Sequence, residues 1–286
     1  MLGQAVARAA RETRDAAHEN HRDARLHLLT RAELDVADAQ AVAETVERLQ
    51  PEAILNLAAW TDVDGAESDP DGAYAVNETG AANLARAAQQ ARAHLVHVST
   101  DYVFAGTGDS PHVESDATGS PPSVYGASKL AGEARVLADP QSGFAVARTS
   151  WLFGAGGRNF VDTMLRLARE GRIELKVVDD QVGCPTWTGH LAPALLEIVQ
   201  SRAAGVMHVA ATGSCTWNEL AREVFAQAGL DLEVLPQTTV EVNRLAPRPA
   251  NSVLRTERED IPRLPDWREG VRGHLAQTPR LEEASR

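Results

Sequence analysis

Short apolar runs alternating with long, Ala-rich amphipathic stretches constrain this chain more than any other feature. Ala53 to Ala58 reads AILNLA, apolar on both faces, and Leu26 to Leu29, Leu95 to Val98 and Phe144 to Thr149 are strand-like runs of the same kind. Between them the spacing predicts helices over 38–49, 71–92 and 123–138. The first sets Ala41, Val42, Val46 and Leu49 on one face and is closed by Pro51. Buried strands separated by helix-length crossovers make a parallel sheet with helices on both faces. Such a doubly wound α/β fold binds ligands beyond the carboxyl ends of its strands. After residue 150 the rhythm loosens. GAGGR at 154–158 and GCPTWTG at 183–189 read as loops, with helices at 159–170, 189–202 and 216–228.

A doubly wound domain normally opens with a strand, a glycine-rich turn and then a helix. This chain opens directly on the helix, with Gly3 where the turn would be ending, so the first strand is missing. A parallel sheet without a central strand leaves backbone groups unpaired, each costing about 1–3 kcal/mol if buried. Against a total stability of about 5–15 kcal/mol, that loss is severe. The expectation is therefore that Met1 is an internal methionine and that the native protein begins about a dozen residues earlier, with the strand and turn. A chain made only from Met1 onward is expected to bind dinucleotides weakly.

Composition removes whole classes of function. Over 286 residues, 28 basic side chains stand against 40 acidic ones, a net charge of −12 that repels nucleic acid and anionic membrane surfaces. Two cysteines, Cys184 and Cys215, cannot build a disulfide framework. The opening MLGQAVARAARETRDAAHE lacks the apolar core of a signal peptide, and no run approaches the roughly 20 apolar residues of a membrane span. The expected setting is cytoplasmic. Nine scattered histidines, without an HExxH pattern or a His/Cys cluster, give no reason to expect a metal centre.

The chemistry-bearing signal is Tyr125 and Lys129 in VYGASKLAGE. Four residues apart on a helix, they share a face about one turn apart. A tyrosine hydroxyl has a pKa near 10, and an adjacent ammonium favours its phenolate, a shift of about three units being worth about 4 kcal/mol. Read structurally, YxxxK is an aromatic–lysine pair on a solvated face. HLVHVSTDYVF carries a strand into Ser99, Thr100 and Asp101, placing hydroxyls and a carboxylate at a strand's carboxyl end. Thr100 is placed there to share the polarisation of a carbonyl with Tyr125; a polar cap or turn is the alternative.

Thr100, Tyr125 and Lys129 resemble the Ser/Thr-Tyr-Lys catalytic set of the short-chain dehydrogenase/reductase superfamily, and the length beyond residue 150 resembles its extended branch, which acts on nucleotide sugars. A longer string of motifs is more specific. LNLAAWTDVDGAES at 55–68, Asn77, STDYVF at 99–104, YGASK at 125–129, RTSWLFG at 148–154, GRNF at 157–160, VVDDQVGCPT at 177–186 and RPANSVL at 248–254 occur in that order. Together they strongly resemble the dTDP-4-dehydrorhamnose reductase family, from residue 2 to about residue 275. Related 4,6-dehydratases carry an acidic residue after the Thr-Asp pair; here Tyr102 stands there, which favours simple carbonyl reduction.

The resemblance implies a Rossmann-like dinucleotide domain at 1–150, truncated at its start, and a mainly substrate-binding region at 151–286 with segments returning to the sheet. It implies NADPH or NADH as cofactor and reduction of dTDP-4-dehydro-6-deoxy-L-mannose to dTDP-L-rhamnose. Tyr125 would protonate the sugar's C4 oxygen, and Lys129 would lower the Tyr125 pKa and hold the nicotinamide ribose. Thr100 and Asp101 would contact the sugar, and Trp151 would pack against it. Ala58, Ala59 and Thr61 would line the dinucleotide cleft, Asp35 and Val36 would sit near the adenine, and Gly3, the surviving third glycine, would permit close helix–strand packing. Two other readings stay open: a reductase of another 4-keto nucleotide sugar, and a regulatory relative that keeps the fold without turnover. A homodimer is compatible with either.

Weaker signals have two readings each. Arg31 could meet a 2′-phosphate, or lie at the surface beside Glu33. GAGG at 154–157 could cradle a diphosphate, or be a plain glycine loop. Cys184, next to Pro185 and without an obvious His partner, reads as a packing residue.

Overall fold

In the computed structural model, which describes residues 1–16 and 25–277, the sheet and its coverings follow from the buried strands. β1 (Ala53–Asn56), β2 (His94–Thr100) and β3 (Ala145–Thr149) lie side by side, and a strand at Gly205–His208 completes a four-stranded sheet. Every pairing in it is parallel, with Asn56 opposite His97 and Thr100 opposite Thr149. Four further two-stranded pairings lie outside this sheet.

The helices are α1 (Leu2–Ala16), α2 (Ala39–Leu49), α3 (Val63–Ser68), α4 (Pro70–Tyr74), α5 (Gly80–Ala91), α6 (Val124–Val136), α7 (Phe160–Arg169), α8 (Thr188–Ser201) and α9 (Trp217–Ala228), followed by short and long helices nearer the end. On one face of the sheet, Ala81, Ala85 and Ala88 of α5 and Val136 of α6 pack on Leu95 and Val146. On the other, Leu191, Leu195 and Ile198 of α8 cover Val96, Ala145, Ala147 and Met207. Helices on both faces make the fold doubly wound and Rossmann-like. α1 lies beside α8, with Ala5, Val6 and Ala9 against Ala192 and with Leu55 and Leu57 packed on the same cluster. A separate core is enclosed by α7, α9 and the helix Trp267–Gln277, around Phe153, Val161, Leu165, Val224 and Trp267. Among the described residues, no helix is long and apolar enough to cross a membrane.

Local chemistry sets the helix ends. Asp38 caps α2 by accepting from the amides of Gln40 and Ala41, each at 3.0 Å. Ser123 caps α6 from the amide of Gly126 at 3.2 Å. Thr216 and Glu219 form a reciprocal capping box on α9.

Three expectations are corrected. Leu26 to Leu29 is not a strand: no described strand lies beyond β1 to pair with it, and Leu26, Leu28 and Leu29 are 46%, 46% and 44% exposed. The single helix expected over 71–92 is interrupted. Asp62 and Asp69 cap α3 and α4 separately, Pro70 starts α4, and a π-helical turn at Ala75–Thr79 precedes α5. Gly3 is not pressed against the sheet, because a Cβ there would meet only Leu57, at an ordinary 3.9 Å.

Close approach does govern two other glycines. A Cβ at Gly126 would collide with the Tyr102 carbonyl oxygen, and one at Gly132 with the Asn77 carbonyl oxygen. Gly132→Ala is therefore expected to destabilise the fold by about 1–3 kcal/mol, as overpacking does. Gly3→Ala should change stability by no more than about 0.5–1 kcal/mol, in the favourable direction. Chemical unfolding of both variants checks the pair; equal effects would contradict the packing described.

Candidate active site

β2 ends in Ser99 and Thr100, runs into Asp101, and is faced by the helix that carries Tyr125 and Lys129. Thr100 and Asp101 are buried and Tyr125 is half-buried. The Thr100 hydroxyl donates to Asp101 Oδ1 at 2.9 Å, and Thr100 lies near enough to the Tyr125 phenol to lower its pKa. The rings of Tyr125 and Tyr102 meet edge-on, with centroids 5.7 Å apart. Four of the residues singled out from the sequence thus occupy one locality at the carboxyl end of a central strand.

Lys129 is buried on the same helix. Its Nζ donates to the Val98 carbonyl oxygen at 2.8 Å and lies 3.2 Å from His97 Nε2. His97 is buried in β2, and its Nδ1 lies 2.8 Å from Nδ2 of Asn56 on β1. Neither Asn56 nor His97 was singled out from the sequence. The available signal was a polar side chain inside each of two otherwise apolar strands, since buried polar groups find partners.

The electrostatics differ from the expectation. Burial pushes the Tyr125 phenol up to about 12, against a lowering by the Thr100 hydrogen bond, with Asp101 raising it further. Burial brings the Lys129 ammonium down to about 8, against the raising effect of Glu133. A phenol lowered by a neighbouring ammonium is therefore not the arrangement found. Burial also raises the Asp101 carboxyl to about 7, although Ser252 and Thr100 hydrogen bonds lower it.

The strand-end loop is tied to the Tyr/Lys helix by Asn77. From the π-helical turn, its Oδ1 accepts from the Trp60 amide at 2.9 Å and its Nδ2 donates to Ser128 Oγ at 2.9 Å. This holds Ala58 to Thr61 beside α6. Ala58 and Thr61 are exposed, and Ala59 is half-buried.

Other sequence candidates lie elsewhere. Asp35 is exposed and accepts from the amide of Ala37 at 3.0 Å, while Val36 packs in the α2–α5 core with its carbonyl taking a 3.0 Å bond from Asn83. Arg31 is exposed. The glycine loop at 154–157 is packed near Met1 and Gln4 at the start of α1, and Asn159 caps α7. Trp151 adopts φ 45° and stacks on Trp217, ring centroids 3.5 Å apart and planes 3° from parallel. Cys184 is buried, its thiol pushed up to about 12 by burial, which suits packing rather than nucleophilic attack. The RPANSVL segment at 248–254 carried no assigned role in the sequence reading. Arg248 in it pairs with Asp64 at 2.8 Å, and Ser252 reaches Asp101.

The Asp101 shift has a definite sign. Its folded-state pKa, about 7, lies above the unfolded value of 3.8, so the native carboxyl favours its proton and stability falls as pH rises between those values. Relative to the parent, Asp101→Asn should gain stability from about pH 4 to about pH 7, by a few kcal/mol at most, and level off above. Urea unfolding across that range measures it; a difference independent of pH would refute the raised pKa.

Comparison with known proteins places this geometry. The family model described as RmlD substrate binding domain matches residues 2–279. The spore coat polysaccharide biosynthesis protein SpsK of Bacillus subtilis is 41% identical over 249 residues, covering 86% of this chain and 87% of that protein. The dTDP-4-dehydrorhamnose reductase of Streptomyces griseus is 45% identical over 242 residues, 82% of this chain and 79% of its own. The crystal structure of the Bacillus anthracis dTDP-4-dehydrorhamnose reductase in complex with NADP superposes with a TM-score of 0.86 at 34% identity, covering 94% of this chain and 95% of that one. With the fold, the strand-end cluster and these matches in agreement, the chain belongs to the dTDP-4-dehydrorhamnose reductase family.

Proposed function

We propose that the chain is an NAD(P)H-dependent oxidoreductase that reduces dTDP-4-dehydro-6-deoxy-L-mannose at C4 to give dTDP-L-rhamnose. The observation that carries this reading is the convergence of Thr100, Asp101, Tyr125 and Lys129 at the end of one parallel strand, the position where a doubly wound fold takes its ligand. The bound dinucleotide supplies the hydride. Small side chains at Ala58, Ala59 and Thr61, two of them exposed, fit a flat dinucleotide crossing the strand ends. In this reading Gly3 lies beneath it, Asp35 and Val36 stand at its adenine end, and Lys129 hydrogen-bonds the nicotinamide ribose. Residues 1–150 carry the dinucleotide and 151–286 mainly the sugar nucleotide.

The protein's own groups handle the proton. With its pKa held at about 12, the Tyr125 phenol is fully protonated at neutral pH and so is loaded to protonate the C4 oxygen as that oxygen gains negative charge. Thr100 polarises the same carbonyl by hydrogen bonding. Asp101 orients Thr100 through their 2.9 Å bond. The half-buried Trp151 ring, held by Trp217, gives the sugar an apolar wall. The Tyr102 phenol, raised by burial first and by Asp101 second, offers no carboxylate for elimination chemistry.

Tyr125→Phe should lower kcat by about 100- to 10,000-fold, the usual worth of a general acid, while KM changes little. Loss of nicotinamide absorbance with the dTDP-4-keto sugar measures the rate, and calorimetry measures sugar-nucleotide binding. Undiminished turnover in the variant would remove Tyr125 as proton donor. Sugar-nucleotide binding without turnover by the parent chain would instead favour a non-catalytic relative.

A further inference from the structure

Trp151 stands two residues beyond the carboxyl end of β3, whose last residue, Thr149, is in register with Thr100 of β2. Its ring is closed on both faces. Trp217 covers one, parallel to within 3° and with centroids 3.5 Å apart. Gly183 covers the other: a Cβ there would collide with Cε2 of the indole, with Nε1 and Cζ2 the next nearest atoms. Cε2 is a ring-fusion atom flanked in the plane by Nε1 and Cζ2, so an atom that meets it first comes from above the ring and not from its edge. A second ring at 3.5 Å leaves no room for backbone on its own side, which puts Gly183 on the opposite face.

Both jaws belong to one piece of backbone. The strands Val182–Gly183 and Cys215–Thr216 pair antiparallel with Gly183 opposite Cys215, and Trp217 follows as the first residue of α9. Trp217 Nε1–H donates to Gln181 Oε1 at 3.1 Å, and buried Gln181 donates from Nε2 to Thr239 Oγ1 at 2.8 Å. Phe160 of α7 leans on Trp217, ring centroids 4.8 Å apart. A ladder, a hydrogen bond and a second aromatic ring thus fix the Trp217 indole. The stacked rings differ in one respect. The Trp217 N–H is used, whereas among the described residues the Trp151 Nε1–H has no partner and is not enclosed. Trp151 also holds φ 45°, a left-handed conformation that is costly for a bulky residue and persists only where the surroundings over-determine it.

We propose that Trp217 is a positioning residue that clamps Trp151 against Gly183, so that the sugar meets the rim of the Trp151 indole, whose Nε1–H donates a hydrogen bond to a sugar oxygen. An indole with an open face takes a sugar by stacking on its C–H surface. That mode is closed here. What remains is an apolar C–H edge and one polar group of fixed direction. A neutral N–H suits a hydroxyl or ring oxygen, and it separates sugars by where those oxygens stand, because a site built around such a bond rejects a ligand that leaves it unmade. The identity of the ligand rests on the reductase reading; the clamp itself does not.

The sequence contains five tryptophans, so full-length protein labelled with 15N at the indole nitrogens gives five signals, and Trp151→Phe identifies the one from Trp151. Without ligand, the Trp151 indole proton should lie upfield, shielded by the Trp217 ring, and should exchange with water faster than the tied N–H of Trp217. Trp217→Leu should move it downfield, whereas Trp217→Phe, which keeps an aromatic ring there, should hold it. An unmoved signal in Trp217→Leu would overturn the clamp; an unshielded proton in the parent overturns it equally, should that variant not fold. Adding dTDP-L-rhamnose to the parent should move the Trp151 proton downfield and slow its exchange, while dTDP alone should do neither. A signal indifferent to dTDP-L-rhamnose although calorimetry records binding, or one moved as much by dTDP, would overturn the sugar contact. In turnover, Trp217→Leu should raise KM for the keto sugar about 3- to 10-fold with kcat little changed, and Trp217→Phe should restore it. If dTDP-L-rhamnose does not bind the parent at all, the reductase reading fails and the sugar contact with it, while the unliganded spectra still decide the clamp.

Discussion

The close seating of α6 on β2 is the constraint from which the site follows. Only glycine fits where α6 passes the Tyr102 and Asn77 carbonyl oxygens, at positions 126 and 132. That proximity brings Lys129 within 2.8 Å of the Val98 carbonyl and buries it. The same seating half-buries Tyr125 and raises its phenol. Push the helix outward by the width of a methyl group and the lysine loses its strand partner, the phenol regains water, and Asn77 no longer bridges Trp60 to Ser128. Packing therefore sets the chemistry here, through desolvation more than through any single ion pair.

This arrangement places polar groups where a sheet would otherwise be dry. Asn56, His97, Thr100, Asp101, Lys129, Glu133 and Arg148 are all buried. Buried ionisable groups are expensive unless partnered, and partners are identifiable here: Arg148 with Glu133, Lys129 with Val98 and His97, Asp101 Oδ1 with Thr100. A core of leucine and valine would be more stable. Departures from that rule cluster at working sites, where a local cost is offset by packing elsewhere. In this chain the offset comes from two apolar clusters, one between α8 and the sheet and one around Trp267.

How much of this could be read from the sequence follows from what each signal depends on. β2, β3, α2 and α6 were legible because their patterns are strong and their caps local; Ser123 and Asp38 sit where the helices start. Leu26 to Leu29 misled because a parallel strand exists only by virtue of its neighbours, and the apolar run carries no information about whether one is there. The break before α5 was missed because alanine-rich sequence hides the π-helical turn, although Asp62, Asp69 and Pro70 marked the capping points. Thr100, Tyr125 and Lys129 were visible through spacing and position at a strand end. The surroundings of Lys129 were not legible, because His97, 32 residues away in the chain, and Asn56, 73 residues away, come together with it only in the folded sheet.

The two sulfurs have a practical consequence. Both Cys184 and Cys215 are buried, and burial raises both thiols, so the reactive thiolate is scarce in the folded chain. A cysteine placed on the surface would then be the group that alkylating dyes and spin labels find. The fold can accept a single reporter without first removing its native sulfurs.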